Sequence, residues 1–258
     1  MNNPRRLWFD FISRERWGAE GVNDAWLITH HSIARGNSDE ISPYLVPNEW
    51  ICGRIASFLG LPVPPFALVK HGVKGKQLFA SLKFGGHDAL PSDTLPDVLF
   101  AKNSKLCSGI LLFDILVANA DRHAGNLQVD APHNPREVWM FDHDRALFGC
   151  WKNGGRKRLE SLRDRLGVSA GSVTGENRHC ILDVINTAEH FPAWLDRIYN
   201  IPKDFIEDTC LHVVGLGIKK NFATAAVDFI DYRRQNLESI IRENINEFPN
   251  ISVWPFTL

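Results

Sequence analysis

The sequence predicts an α+β protein of two lobes: a small mixed lobe over residues 1–87, then a larger, mainly helical lobe over 88–258. Three observations lead there. Branched and aromatic residues gather in short runs before residue 85. A stretch rich in Gly, Pro, Ser and Asp, GGHDALPSDTLPD, then interrupts the chain and reads as the connection between the lobes. Beyond it, apolar residues recur mostly at helical spacing.

Taken in order, DAWLITHHSI (24–33) has the branched and aromatic content of a strand, and RGNSDEISPY (35–44) reads as a polar loop. From Pro47 the period becomes helical, with Trp50, Ile51, Ile55, Phe58 and Leu59 on three-and-four spacing. Gly60 and the Leu-Pro after it mark the helix end. FALVK (66–70) and QLFASLKF (77–84) flank a glycine-containing turn, the pattern of a β-hairpin. Lys105 to Ala118 is apolar on nearly every face, as a helix at the centre of a domain should be. NLQV and VWMFD are two short candidate strands joined by the turn-rich DAPHNPRE. Residues 158–247 read as helical. Their clearest stripe is Phe222, Ala226, Phe229, Ile230, Leu237, Ile240 and Ile241, which reads as a core face. GRKRLESLRDR reads as a solvated helical face.

Charge and cysteine content narrow the function. With 29 basic against 30 acidic side chains, no polyanion-binding surface is indicated, and nucleic acid is not expected as a direct partner. Five scattered cysteines without a CxxC pair favour neither a structural zinc nor a disulfide framework, and read as free thiols of a reducing cytoplasm. The N-terminal stretch lacks the apolar core of a signal peptide. The longest apolar run, Ile110 to Ala120, is broken by Asp114 and too short to span a bilayer. A cytoplasmic location and no membrane partner are therefore expected.

The chemistry concentrates in NADRHAGNLQV (119–129) and VWMFDHDRALFG (138–149). Asp121 follows the apolar helix, Asn126 comes five residues later, and Asp142 closes the VWMF run. Loops between helix and strand are where a scaffold presents reactive groups. Such an oxygen-rich set suits Mg²⁺, which takes one or two carboxylates together with substrate phosphates. The Asp-to-Asn spacing, followed by a strand, a turn and a second Asp, is the layout of a kinase catalytic loop and metal-binding strand. Phosphoryl transfer needs positioning and charge neutralisation rather than a covalent nucleophile, so this small set suffices. At strand period Asp144 would share a face with Asp142, as an added metal ligand or a turn residue. A metal-dependent phosphohydrolase built on Asp121, His123, Asp142, His143 and Asp144 is a further reading of the same residues.

ANADRHAGNLQV with FDHDRALF, preceded by NEWICGRIASFLGLPVPPFALV, resembles the HipA-like kinases and, more distantly, the phosphatidylinositol kinases. The resemblance covers roughly Val46 to Gly149. It implies a bilobal protein-kinase-like fold and an ATP- and Mg²⁺-dependent phosphotransferase, most simply a bacterial serine/threonine protein kinase. A protein acceptor, and a toxin role with a cognate antitoxin, are implied with it. Asp121 would be the catalytic base, with His123 and Arg122 bracing its loop. Asn126 and Asp142 would hold the metal; Asp144, where the lipid-kinase version often has Gly, departs from the pattern as an added metal ligand or a turn residue. Glu49 falls where kinases place the acidic partner of the phosphate-binding lysine, and Ser81, Leu82, Lys83 and Phe84 would line the adenine. No lysine precedes Lys70, however, and only GAEGVND (18–24) hints at a glycine-rich phosphate loop. Arg35, His30 or His31, or Lys83 reaching in, could replace the missing cation. Alternatively the chain is a pseudokinase or regulatory binding module, or a kinase of small molecules or lipids.

Overall fold

A computed structural model describes residues 11–16, 26–38, 41–72, 75–85, 92–151, 154–168 and 178–256. The candidate glycine-rich stretch 18–24 lies outside them.

The run predicted as one strand over 24–33 divides at His31. Strand β1 (Phe11–Arg16) pairs antiparallel with β2 (Trp26–His30), whereas β3 (Ser32–Arg35) enters a second sheet. That sheet contains β4 (Phe66–His71) and β5 (Lys76–Leu82) in the order β3-β5-β4, all antiparallel. His31 accepts at its carbonyl from the Lys83 amide at 2.9 Å, and Ser32 then pairs with Leu82, so β5 draws the second half of the run away from the first. Branched residues favour extended backbone but do not choose the partner strand. One consequence is that Arg35 ends a strand, paired with Phe79, rather than opening a loop. The β4–β5 hairpin forms as expected, with Gly72 and Gly75 both at positive φ.

Helix α1 (Leu45–Phe58) begins two residues before Pro47. Asn37 accepts from the Val46 amide at 2.8 Å, so the polar loop before the helix supplies its cap. The other end closes on Gly60 (φ 71°), with Leu61 N donating to Ala56 O and Gly60 N to Ser57 O. This double bond pattern needs a left-handed residue, and glycine supplies it cheaply.

The predicted linker is partly structured. Its Ser92–Asp93 is strand β6, and Pro96 opens α2 (Pro96–Leu116), taking the first-turn position where proline loses no helical bond. Asn103 breaks the helical geometry (φ −138°, ψ 46°), and the apolar half recognised from Lys105 onward follows that kink. β6 joins β7 (Leu127–Val129) and β8 (Val138–Met140) in a small antiparallel sheet. The C-terminal half carries α3 (Arg156–Leu162), α4 (Phe191–Tyr199), α5 (Lys203–Leu211) and α6 (Lys220–Glu243). Helix does not fill 158–247: residues 178–190 are turns and irregular backbone. There the Cys180 amide donates to Arg122 O at 2.8 Å and the His179 amide to Val168 O at 3.2 Å, and these tertiary bonds win over helical period.

One large core unites Ile51 and Ile55 of α1, Leu111 to Phe113 of α2, and Phe229 and Ile230 of α6. A smaller cluster of Leu45, Val46 and Phe79 lies under the β3-β5-β4 sheet. Trp194 of α4 packs so closely on α2 that a Cβ at Gly109 would overlap its ring, while its Nε1 donates to Lys105 O at 2.7 Å. In the middle of the α6 stripe stands the fully buried Arg233, donating to the end carbonyls of α2 (Leu116, Ile115) and α3 (Leu162). Guanidinium donors at helix C-termini satisfy otherwise orphaned carbonyls. Among the described residues no helix is long and apolar enough to cross a membrane, and all five cysteines are free.

Candidate active site

The Asp121–Asn126 loop is fixed from below. Asp114, fully buried on α2, accepts from Arg122 Nε at 2.8 Å and Nη2 at 3.1 Å, from Asn119 Nδ2 at 2.9 Å, and pairs with His179 Nε2 at 3.0 Å. His179 Nδ1 accepts from the Ile181 amide, so Nε2 carries the proton that Asp114 receives. Burial opposes the Asp114 charge, but Arg122 and His179 overcome it and hold the carboxyl well below the usual carboxylate range. Arg122 also reaches the carbonyls of Asn126 (3.1 Å) and Phe141 (2.5 Å), joining the loop to the end of the Val138–Met140 strand. His123 is exposed, and its Nδ1 accepts from the Gly125 amide at 3.1 Å, capping the short 3-10 turn Ala124–Asn126. Arg122 and His123 therefore brace the loop.

Asn126 donates from Nδ2 to the Asp121 carbonyl at 2.9 Å, which leaves its Oδ1 as an oxygen donor. Asp142 lies beyond the end of β8 and is not a strand residue: its φ is +60°. Left-handed backbone costs most L-residues roughly 1–2 kcal/mol, though Asp tolerates it better than most. The strand period linking Asp142 to Asp144 is thereby broken, yet both carboxylates converge on Arg35. Its Nη1 lies 2.9 Å from Asp142 Oδ1 and 3.7 Å from Glu49 Oε1, and its Nη2 2.9 Å from Asp144 Oδ2. Burial disfavours the Arg35 charge, but the three carboxylates outweigh it and raise its pKa. Burial and the Asp142 charge push Asp144 up to about 6. Glu49 has a second partner, His143 Nδ1 at 3.2 Å.

Negative charge here exceeds what one guanidinium neutralises, and Asp142 Oδ1 is sealed from solvent against Arg35 Nη1. That excess of charge fits a divalent cation held by Asp142, Asp144 and Asn126. Among the described residues, no three His, Cys, Asp or Glu side chains form a self-sufficient metal cage. His143 meets Glu49 and His123 the Gly125 amide through Nδ1 in each case.

A cavity of about 300 Å³ opens beside these groups. Arg35, Glu49, Ser81, Leu82, Lys83, Phe84 and Asp142 all line it, along with apolar Val63, Phe66, Met140 and Phe141. Asp121, His123, Asn126 and Asp144 are not in that lining; Asp144 meets it through Arg35. Three participants carried no sequence signal. Asn48, fully buried on α1, donates to Asp144 O at 2.6 Å and accepts from the Phe148 amide at 3.2 Å, clamping the loop after β8. Arg158, read as part of a solvated face, turns inward to the carbonyls of Leu147, Ala118 and Arg145. Arg145 places Nη1 3.4 Å from Asp121 Oδ1.

The fold is kinase-like. Residues 36–150 match the family of HipA-like kinases, and the resemblance read from the two motifs holds. The chain is also similar in structure to the Helicobacter pylori proinflammatory kinase CtkA, with a TM-score of 0.53 and 13% identity over 93% of this chain and 96% of that one. HipA of Shewanella oneidensis, in its complex with HipB and operator DNA, aligns over 100% of this chain and 61% of its own length, at 14% identity and a TM-score of 0.31. No curated protein sequence matches.

Proposed function

We infer that the chain is an ATP- and Mg²⁺-dependent phosphotransferase with a bilobal arrangement, residues 1–87 on the nucleotide side and 88–258 on the catalytic side. The observation that carries this reading is Arg35. Its guanidinium sits against Glu49 at the mouth of the cavity, where a kinase of this pattern needs a lysine. Arg and Lys differ in donor geometry, but both neutralise phosphate charge.

On this reading the base of the nucleotide enters between Ser81–Phe84 and the apolar wall of Val63, Phe66 and Met140. Its phosphates face Arg35. Asn126, Asp142 and Asp144 would hold Mg²⁺, which would supply charge neutralisation at the phosphate oxygens. Asp121 accepts the hydroxyl proton of the acceptor, while Arg122, locked on Asp114, keeps Asp121 and Asn126 in register. Glu49 orients Arg35 and, through His143, the backbone beside Asp142. A serine or threonine of a protein as acceptor, and a toxin role with a cognate antitoxin, belong to the reading through the family alone.

The pseudokinase alternative rests on the absence of a lysine before Lys70, and the Arg35–Glu49 pair argues against it. Incubation with Mg²⁺ and γ-labelled ATP tests the choice, with Asp121→Ala, Asp142→Asn and Arg35→Ala beside the wild type. Label transferred by the wild type and lost in the first two variants is expected. Saturating ATP at about 100 times its Kd should stabilise the wild type by about 2.7 kcal/mol. Stabilisation without transfer would mark a pseudokinase, and neither effect would sink both readings.

A further inference from the structure

Resting on the transferase reading, we propose that Arg145 is a catalytic residue, an arginine supplied by the same chain that neutralises the phosphoryl group as it passes between nucleotide and acceptor. In the step, the acceptor hydroxyl oxygen bonds to the γ-phosphorus and the bond from that phosphorus to the β–γ bridging oxygen breaks. The electron pair leaves with ADP and the hydroxyl proton passes to Asp121. Charge then spreads over the equatorial oxygens beside Asp121, and a cation is needed there.

Among the described residues, three other cations near the site are committed elsewhere. Arg122 is fully buried on Asp114 and two carbonyls. Arg35 is held among Glu49, Asp142 and Asp144 on the nucleotide side. Arg158 is spent on backbone carbonyls. Arg145 is placed by the structure against the base, with Nη1 at 3.4 Å from Asp121 Oδ1 and its side chain 45% exposed.

Its backbone is rigid while its head is open. Ala146, Leu147 and Phe148 on one side are fully buried. The Ala146 amide donates to His143 O and the Leu147 amide to Val117 O, and the Arg145 carbonyl accepts from Arg158. A planar guanidinium offers five donors, so one edge can stay on Asp121 while the other meets phosphoryl oxygens. A lysine lacks that fork. Nothing in the sequence singles out Arg145, because its partner lies 24 residues away and the intervening strands bring them together.

The test uses the full chain with two probes. One is MgADP with and without fluoroaluminate, a mimic of the transferring group, read by thermal shift. The other is γ-labelled ATP with dephosphorylated casein as acceptor. For Arg145→Ala, the stabilisation by MgADP should persist while the further increment from fluoroaluminate disappears. Its kcat should fall at least about 100-fold with KM for casein unchanged, Arg145→Lys should recover only part of it, and guanidinium ion added to Arg145→Ala should restore some rate. Arg145→Gln, which keeps a donor and the bulk, repeats the comparison if the alanine variant does not fold. An intact fluoroaluminate increment with intact kcat overturns the proposal. So does a raised KM for casein at unchanged kcat, which assigns Arg145 to acceptor docking, or a loss that is only a displacement of the pH profile, which assigns it to tuning Asp121. A wild type that neither binds MgADP nor transfers label overturns the transferase reading itself, and this proposal with it.

Discussion

At the scale of single residues, His179 has no room for a second proton. It is fully buried, and burial lowers its pKa despite the pull of Asp114. A histidine with a depressed folded pKa adds stability that is present above its unfolded value and is lost as pH falls towards the folded one. Unfolding free energy should therefore begin to drop below about pH 6.5, by up to about 1.4 kcal/mol per pH unit. Asp114, also depressed, adds a second loss only below about pH 3.9. Urea denaturation at several pH values, with His179→Gln as comparison, checks this: the variant should lose the first slope and keep the second. An unchanged first slope in the variant would show that His179 is not its source. Neither partner was legible as a pair, because 65 residues separate them and only the fold brings them together. Asp121, Asn126 and Asp142 were legible because their spacing is itself the pattern, and Arg122 completes it through local carbonyls.

At the scale of elements, α2 and α4 meet without clearance at Gly109. Alanine there gains roughly 1 kcal/mol of helix propensity but must displace the Trp194 ring and strain its bond to Lys105 O. Overpacking of this kind costs about 1–3 kcal/mol, so Gly109→Ala should lower the midpoint of denaturation. Trp194→Phe in the same background should recover part of it, and a neutral Gly109→Ala would refute the close fit. The elements that sequence pattern revealed share a cause: α1, the β4–β5 hairpin and α6 each carry their own period and stop signals. The ones it missed are governed from outside. The 24–33 run splits because β5 captures His31 and Ser32, and 178–190 is held out of helix by Arg122 O. The left-handed Asp142 has no composition signal at all, since any residue can follow a strand.

At the scale of the whole molecule, α1 is more firmly tied to the helical half than to the sheet beside it in sequence. Ile51 and Ile55 enter the main core, Asn48 holds the loop after β8, and Pro62 O accepts from the Met140 amide at 2.8 Å. Hydrogen exchange should accordingly find the α1 amides as protected as those of α2, while β4 exchanges through local opening. Asn48→Ala, which leaves buried backbone groups unpaired, should lower α1 protection by about 1–3 kcal/mol. Equal protection of α1 and β4 would contradict this division. For evolution the clamp made by Asn48 has a further meaning. One wall of the cleft inherits its shape from the core and resists drift, whereas the β3-β5-β4 wall answers to few core residues. Descendants of this chain can therefore exchange the β3-β5-β4 wall while the wall that bears Met140 and Asp142 stays as it is.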